Sequence, residues 1–169
     1  MEWSALHILF FATLASVFSR QYRLPALLVG AVTGANLWAQ PLIHEVAGNV
    51  GQFYIFGVTD ALTAFALILM ARKGWAPKTA YLTAATLSGF ILINMIITIK
   101  IRMHIHGSVS WYHVSIMMLN LAEAFTFIGG VLDGLANITR GLRLALAEIV
   151  APGSVSRSRG ARHSRIRRW

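Results

Sequence analysis

The side chains best placed to do chemistry in this chain are acids and amides set inside apolar stretches. Asp60 lies in GVTDALT, Asn94 in ILINMII, Asn120 and Glu123 in LNLAEAF, and Asp133 in VLDGL. An ionised carboxylate at the middle of a bilayer costs about 3 kcal/mol. Such a group must face neighbouring helices, find a partner or carry a proton. One chemistry that fits is a proton or cation path through Asp60, Asn94 and Glu123. The other is architectural: a few hydrogen bonds between helices, each worth about 1 kcal/mol. Dedicated transporters are commonly built from inverted repeats or discontinuous helices. No internal repeat is visible here, which favours the architectural reading. At helical spacing Asn120, Glu123, Phe127, Gly130 and Asn137 share one face.

A second group is the C-terminal run RSRGARHSRIRRW, with Arg157, Arg159, Arg162, Arg165, Arg167 and Arg168 and no acid. The planar guanidinium fork bonds phosphate oxygens, so a series of arginines binds polyanions. The tail could fix topology, bind anionic lipid headgroups with Trp169 as an interfacial anchor, or contact nucleic acid beneath a membrane. Six of the fifteen Lys/Arg lie in it, and the other nine face six Asp/Glu, so the net charge of +9 is largely a property of the tail.

His104, His106 and His113 cluster between two apolar stretches, and His44 lies in another joint. A pair one residue apart plus one distant histidine, without a fixed carboxylate, reads as loop histidines rather than a metal or pH-sensing site. No metal or cofactor is implied. With no cysteine, thiol chemistry and disulfides are excluded. Nucleophile elbows, zinc-protease helices and phosphate-cradling loops have no counterpart, so the chain reads as non-enzymatic.

Helices must position these groups. Apolar residue types make up 56% of the 169 residues and charged types 12%, where soluble domains carry about 25% charged. The apolar residues fall into blocks at 3–19, 24–43, 52–71, 79–99 and 111–134, each close to the length that spans a bilayer. Successive uncharged stretches with almost no polar face argue against buried helices of a soluble protein. The expected fold is all-α: a polytopic transmembrane bundle of about five spans, with four as the alternative because the first two blocks are weakest. Pro41 is expected to end or kink the second block, and residues 44–51 to form a short polar turn.

Only Glu2 precedes the first block, where a cleavable signal would carry basic residues, so the N-terminus reads as retained. Residues 1–135 form the expected transmembrane domain. Residues 136–151 form an amphipathic helix, interfacial or continuing the last span, with Ile138, Leu142, Leu146 and Ile149 on one side and Arg140 and Arg143 on the other. Residues 152–169 form the tail, expected to be disordered without a partner. With the N-terminus outside, thirteen Lys/Arg lie inside against Lys100 and Arg102 outside, so the positive-inside rule favours N-out and C-in.

Ala26, Gly30 and Gly34, and again Gly130 and Gly134, recur at four-residue intervals. Such small-residue ridges let helices approach closely, either within the chain, the favoured reading, or as a self-association seam. Trp3, Trp38, Trp75, Trp111, Tyr54 and Tyr112 fall near span ends, as in an interfacial aromatic belt.

YIFGVTDALTAFALIL in the third block, LSGFILINMI in the fourth and WYHVSIMMLNLAEAF in the fifth resemble small polytopic membrane proteins of phage and prophage genomes. Some of those resemble envelope components of phages with an internal lipid membrane, which shape the vesicle and link it to capsid or genome. The resemblance implies a structural virion role, with the basic tail facing genome or capsid. Holins are also small phage membrane proteins with charged C-terminal tails, but this chain has more spans than their common layouts. The leading expectation is therefore a non-enzymatic structural protein of a bacterial inner membrane or an internal viral membrane. Its partners would be lipid, anionic lipid or nucleic acid at the tail, and other membrane or capsid proteins or a second copy. The alternatives are a small channel, transporter or holin-like pore using the intramembrane acids, and an accessory subunit of a larger membrane complex.

Overall fold

The computed structural model describes residues 2–103 and 110–150. These form α1 (Glu2–Ser16), α2 (Arg23–Arg72), α3 (Ala80–Arg102), α4 (Ser110–Thr126) and α5 (Ile128–Val150), with no strand among the described residues. The protein is an all-α helical bundle integral to a membrane. His104, His106 and the tail arginines Arg157, Arg159, Arg162, Arg165, Arg167 and Arg168 lie outside the described residues, as does the whole 152–169 segment. The chain divides into two compact units, Met1–Gly134 and Leu135–Trp169.

Helix α2 is broken once. Gly48 has φ 68° and ψ −178°, a backbone conformation that glycine adopts without steric cost. It separates limb α2a (Arg23–Gly48) from limb α2b (Val50–Arg72). Val29 and Thr63 line the same cavity, yet on one straight helix at 1.5 Å per residue they would be about 50 Å apart. The chain therefore turns back on itself at Gly48. The expected break at Pro41 is absent: the helix runs through it, as membrane helices tolerate when neighbours satisfy the freed backbone. The turn expected at 44–51 is present, but it is confined to Gly48, and the residues on either side remain helical.

The limbs α2a and α2b and helix α3 are long and apolar enough to cross a membrane. The pair α4–α5, bent by 48° at its break, makes a fourth crossing if counted as one broken span. Three to four spans thus stand against the expected five or four, and the upper count meets the four-span alternative. The difference lies in the first block, where only the 15 residues of α1 are helical. At 1.5 Å each they cover about 22 Å, short of a hydrocarbon core of about 30 Å. The rest of that block, residues 17–19, forms the turn into α2.

Small residues explain how α1 packs. Ala5, Leu9, Thr13 and Ser16 form its buried face, and Ile8, Phe11, Leu14 and Phe18 are exposed. A Cβ on Gly30 would come within 2.9 Å of the Thr13 hydroxyl, and one on Gly34 within 3.1 Å of the Phe10 ring. These two contacts run α1 antiparallel to α2a. On its other flank, a Cβ on Gly130 would meet Ser16 Oγ at 2.7 Å, and one on Gly134 would strike the Ala15 carbonyl. Ala26 is buried in the same core. The ridges that could have formed a self-association seam are occupied inside the chain.

Polarity is inverted relative to a soluble protein. Thr13, Ser16, Asn94, Asn120 and Glu123 are buried, while Phe11, Leu62 and Phe65 are each more than 60% exposed. Exposed apolar side chains of this kind are at home against lipid tails.

The break between α4 and α5 has identifiable causes. The Thr126 hydroxyl donates to the Glu123 carbonyl at 2.6 Å and exchanges a 2.7 Å hydrogen bond with Thr83 Oγ1. Side-chain back-bonding of this type bends helices. Ser16 Oγ donates to the Phe127 carbonyl at 3.3 Å, and Gly129 and Gly130 admit Tyr22 against the backbone.

Thr79 Oγ1 donates to Tyr22 Oη at 3.3 Å, so the α1–α2 and α2–α3 joints meet at one end of the bundle. Arg20, Arg23, Arg72, Lys73 and Lys78 belong to those joints. In the second unit, Leu135–Val150 continues as helix, with Leu142, Leu146, Ile149, Arg140 and Arg143 exposed.

Candidate functional site

Helical spacing brings polar side chains from four segments into one cavity of about 150 Å³ within the first unit. Limb α2a contributes Val29, Val32, Thr33, Asn36 and Gln40, spaced so that they fall on one face. Limb α2b contributes Phe56, Asp60 and Thr63, and α3 contributes Leu87, Phe90 and Asn94. From α4 come Tyr112, Ile116, Asn120 and Glu123, while α1 closes the side with Leu6 and Leu9.

Four of the five intramembrane polar residues singled out in the sequence therefore converge: Asp60, Asn94, Asn120 and Glu123. The fifth, Asp133, is not in the lining. Its carboxylate accepts a 2.5 Å hydrogen bond from Ser19 Oγ, which gives it a structural partner. The expected face through Asn120, Glu123, Phe127, Gly130 and Asn137 is interrupted by the bend, and only its first two members reach the cavity.

The chamber has an open end and a closed end. Gln40 is exposed and Tyr112 half-buried, whereas Asp60, Asn94, Asn120 and Glu123 are buried. Tyr112 Oη donates to Asn94 Oδ1 at 3.4 Å, and the Phe53 ring packs edge-on to Tyr112 with centroids 5.8 Å apart. One to two helical turns beyond the acids, on the side of the basic joints, Ala26, Leu67 and Phe127 are almost wholly inaccessible. Together with the Thr83–Thr126 bond they close that end.

The electrostatics are one-sided. Asp60 and Glu123 line the same cavity, and no Lys, Arg or His among the described residues lines it. Glu123 is 2% exposed, and its Oε1 has no hydrogen-bond partner. A buried polar atom without a partner costs about 1–3 kcal/mol, more when charged. Two neighbouring carboxylates in such a place require protons or a cation to balance them. No group of three or more His, Asp or Glu among the described residues is placed to hold a metal ion.

Asn36, Gln40, Thr33 and Thr63 escaped the sequence reading. The recoverable signal is their spacing: Thr33, Asn36 and Gln40 lie on the helical face that also carries Val29. Tyr112, expected in the interfacial belt, is part of the lining. Comparison with protein families, with characterised proteins and with solved structures finds no match to this chain.

Proposed function

We propose that this chain is a non-enzymatic membrane transporter whose intramembrane chamber binds a cation, the proton included, at Asp60 and Glu123. The observation that carries the reading is the Glu123 carboxylate, buried beside Asp60, one oxygen unpartnered, in a cavity without a cationic side chain. Acids serving only to tie helices together would be bonded to neighbouring helices, as Asp133 is to Ser19. The discontinuity between α4 and α5, one turn past Glu123, is the kind of feature on which transporter sites are built. The chamber is open at one end and closed at the other, so passage requires the Phe127 plug and the Thr83–Thr126 bond to open. Asp60 and Glu123 would hold the cation, Asn94 and Asn120 would offer amide oxygens, and Tyr112 and Gln40 would form the entrance.

We place the basic joints in the cytoplasm or vesicle interior, following the positive-inside rule. The chamber mouth then faces outward and the C-terminal tail lies on the inner side of a bacterial inner membrane or an internal viral membrane; the expected outer N-terminus would require α1 to cross, which its length does not support. The test is flux in liposomes containing the purified chain. Proton or cation movement should be present with the native sequence and lost in both Asp60→Asn and Glu123→Gln. Electrically and chemically silent liposomes would return the chain to the architectural reading of a virion or accessory membrane protein. The tail has its own test: removal of residues 154–169 should weaken binding to DNA or anionic vesicles, with a loss that shrinks as salt rises.

A further inference from the structure

We infer that the chamber is built for a small organic cation, an amine of about six to ten heavy atoms carried as its ammonium form, rather than for a bare proton or metal ion. This rests on the cation-binding reading above and narrows it. The first argument is size. A single water needs only about 10–15 Å³ of such space, and an apolar protein cavity of about 150 Å³ takes up benzene. The chamber offers about 150 Å³, far more than a file of waters for protons requires.

The second argument is the character of the lining. Leu6, Leu9, Val29, Leu87, Phe90 and Ile116 present hydrocarbon. A hydrated alkali ion gains nothing from such walls, and a divalent ion would want six or more oxygens in a regular shell. An ammonium on a hydrocarbon body matches both halves: donors for the carboxylates, and an apolar body for the aliphatic wall. Aromatic faces attract cations as well, and Phe90 supplies one to the wall.

The third argument is the orphan. Glu123 Oε1 is buried and unpartnered while lining the cavity. An ammonium has three donors, enough to reach that oxygen and Asp60 together. The titratable side chains on every element of the lining are Asp60 on α2b, Glu123 on α4 and Tyr112 at the entrance, with none from α1, α2a or α3. No described residue of the lining therefore supplies the missing positive charge.

The experiment uses the full chain in detergent with two probes of one size, benzylammonium and benzyl alcohol, followed by calorimetry. Benzylammonium should bind saturably and about tenfold or more tighter than benzyl alcohol, and Asp60→Asn with Glu123→Gln should bring it down to the level of the alcohol. The comparison of probes on the native chain needs no variant to fold. Equal affinities would overturn the inference, since the acids would then recognise nothing. Absence of benzylammonium binding alongside acid-dependent proton or sodium flux in liposomes would also overturn it, while leaving the cation-transport reading intact. Neither binding nor flux would remove both, and acid-dependent binding without flux would remove transport and keep the organic-cation site.

Discussion

The two ends of the bundle use the same polar residue types to opposite ends. Around the α4–α5 break the hydroxyls of Ser16, Ser19, Thr79, Thr83 and Thr126 all have partners. Ser19 donates to Asp133, Ser16 to the carbonyls of Ala12 and Phe127, Thr79 to Tyr22, and Thr83 and Thr126 to each other. One turn before the break, on the chamber side, Glu123 Oε1 has no partner, and farther along the chamber the bond from Tyr112 to Asn94 is stretched to 3.4 Å. Helix association in lipid lacks the hydrophobic driving force and relies on close packing and hydrogen bonds. The packed end obeys that rule and the chamber departs from it. Satisfaction of the acid, rather than its presence in a span, separates a structural carboxylate from a binding one.

The largest effect should come from disturbing the packed end. In Gly134→Ala the new methyl would strike the Ala15 carbonyl, a backbone atom that cannot rotate away. Overpacking of this kind costs about 3 kcal/mol, read as a lowered unfolding midpoint in detergent. Gly57→Ala, where a Cβ meets nothing within 4 Å, should leave the midpoint unchanged or raised. Equal effects at both positions would mean that α1 is not seated as described.

Next in size is Ser19→Ala, which takes the hydroxyl donor away from the Asp133 carboxylate and should cost about 2 kcal/mol. Glu123→Gln is the matched change in the chamber, and there the expectation differs: stability within about 1 kcal/mol of the native chain, because no protein bond is lost. If Glu123→Gln destabilised as much as Ser19→Ala, the acid would be a structural group and the contrast between the two ends would disappear.

Much of this contrast was legible before any coordinates. Apolar blocks of spanning length forced helices, and the cost of carboxylates and amides in lipid forced Asp60, Glu123 and Asn94 inward. Gly30 and Gly130 marked close approach. What the chain did not reveal has physical causes. Pro41 draws attention because it lacks a donor, yet it leaves the helix unbroken; the reversal falls at Gly48, inside the joint expected at 44–51, where positive φ is available without cost. Asn36 and Gln40 read as polar residues near a span end until the turn at Gly48 folds their face over that of Asp60. The broken α4–α5 pair reads as one continuous apolar block, because the bend is made by hydroxyls of Ser16, Thr83 and Thr126 whose partners lie on other elements. Asp133 and Glu123 look alike in sequence, and only Ser19, 114 residues away, distinguishes them.

The smallest expected effects test whether bond length tracks energy across the two ends. Thr126→Val removes a hydroxyl that bonds Thr83 at 2.7 Å and the Glu123 carbonyl at 2.6 Å, and should cost about 1 kcal/mol. Tyr112→Phe removes a donor 3.4 Å from Asn94, well beyond the usual O–H···O separation of about 2.7–2.8 Å. Its cost in stability should stay below about 0.5 kcal/mol. Because Tyr112 stands at the entrance, the same change should still alter the rate at which benzylammonium reaches the acids. A stability loss from Tyr112→Phe as large as that from Thr126→Val would show that the open end is held as tightly as the closed one. A chamber held that way could not open and close around a cargo.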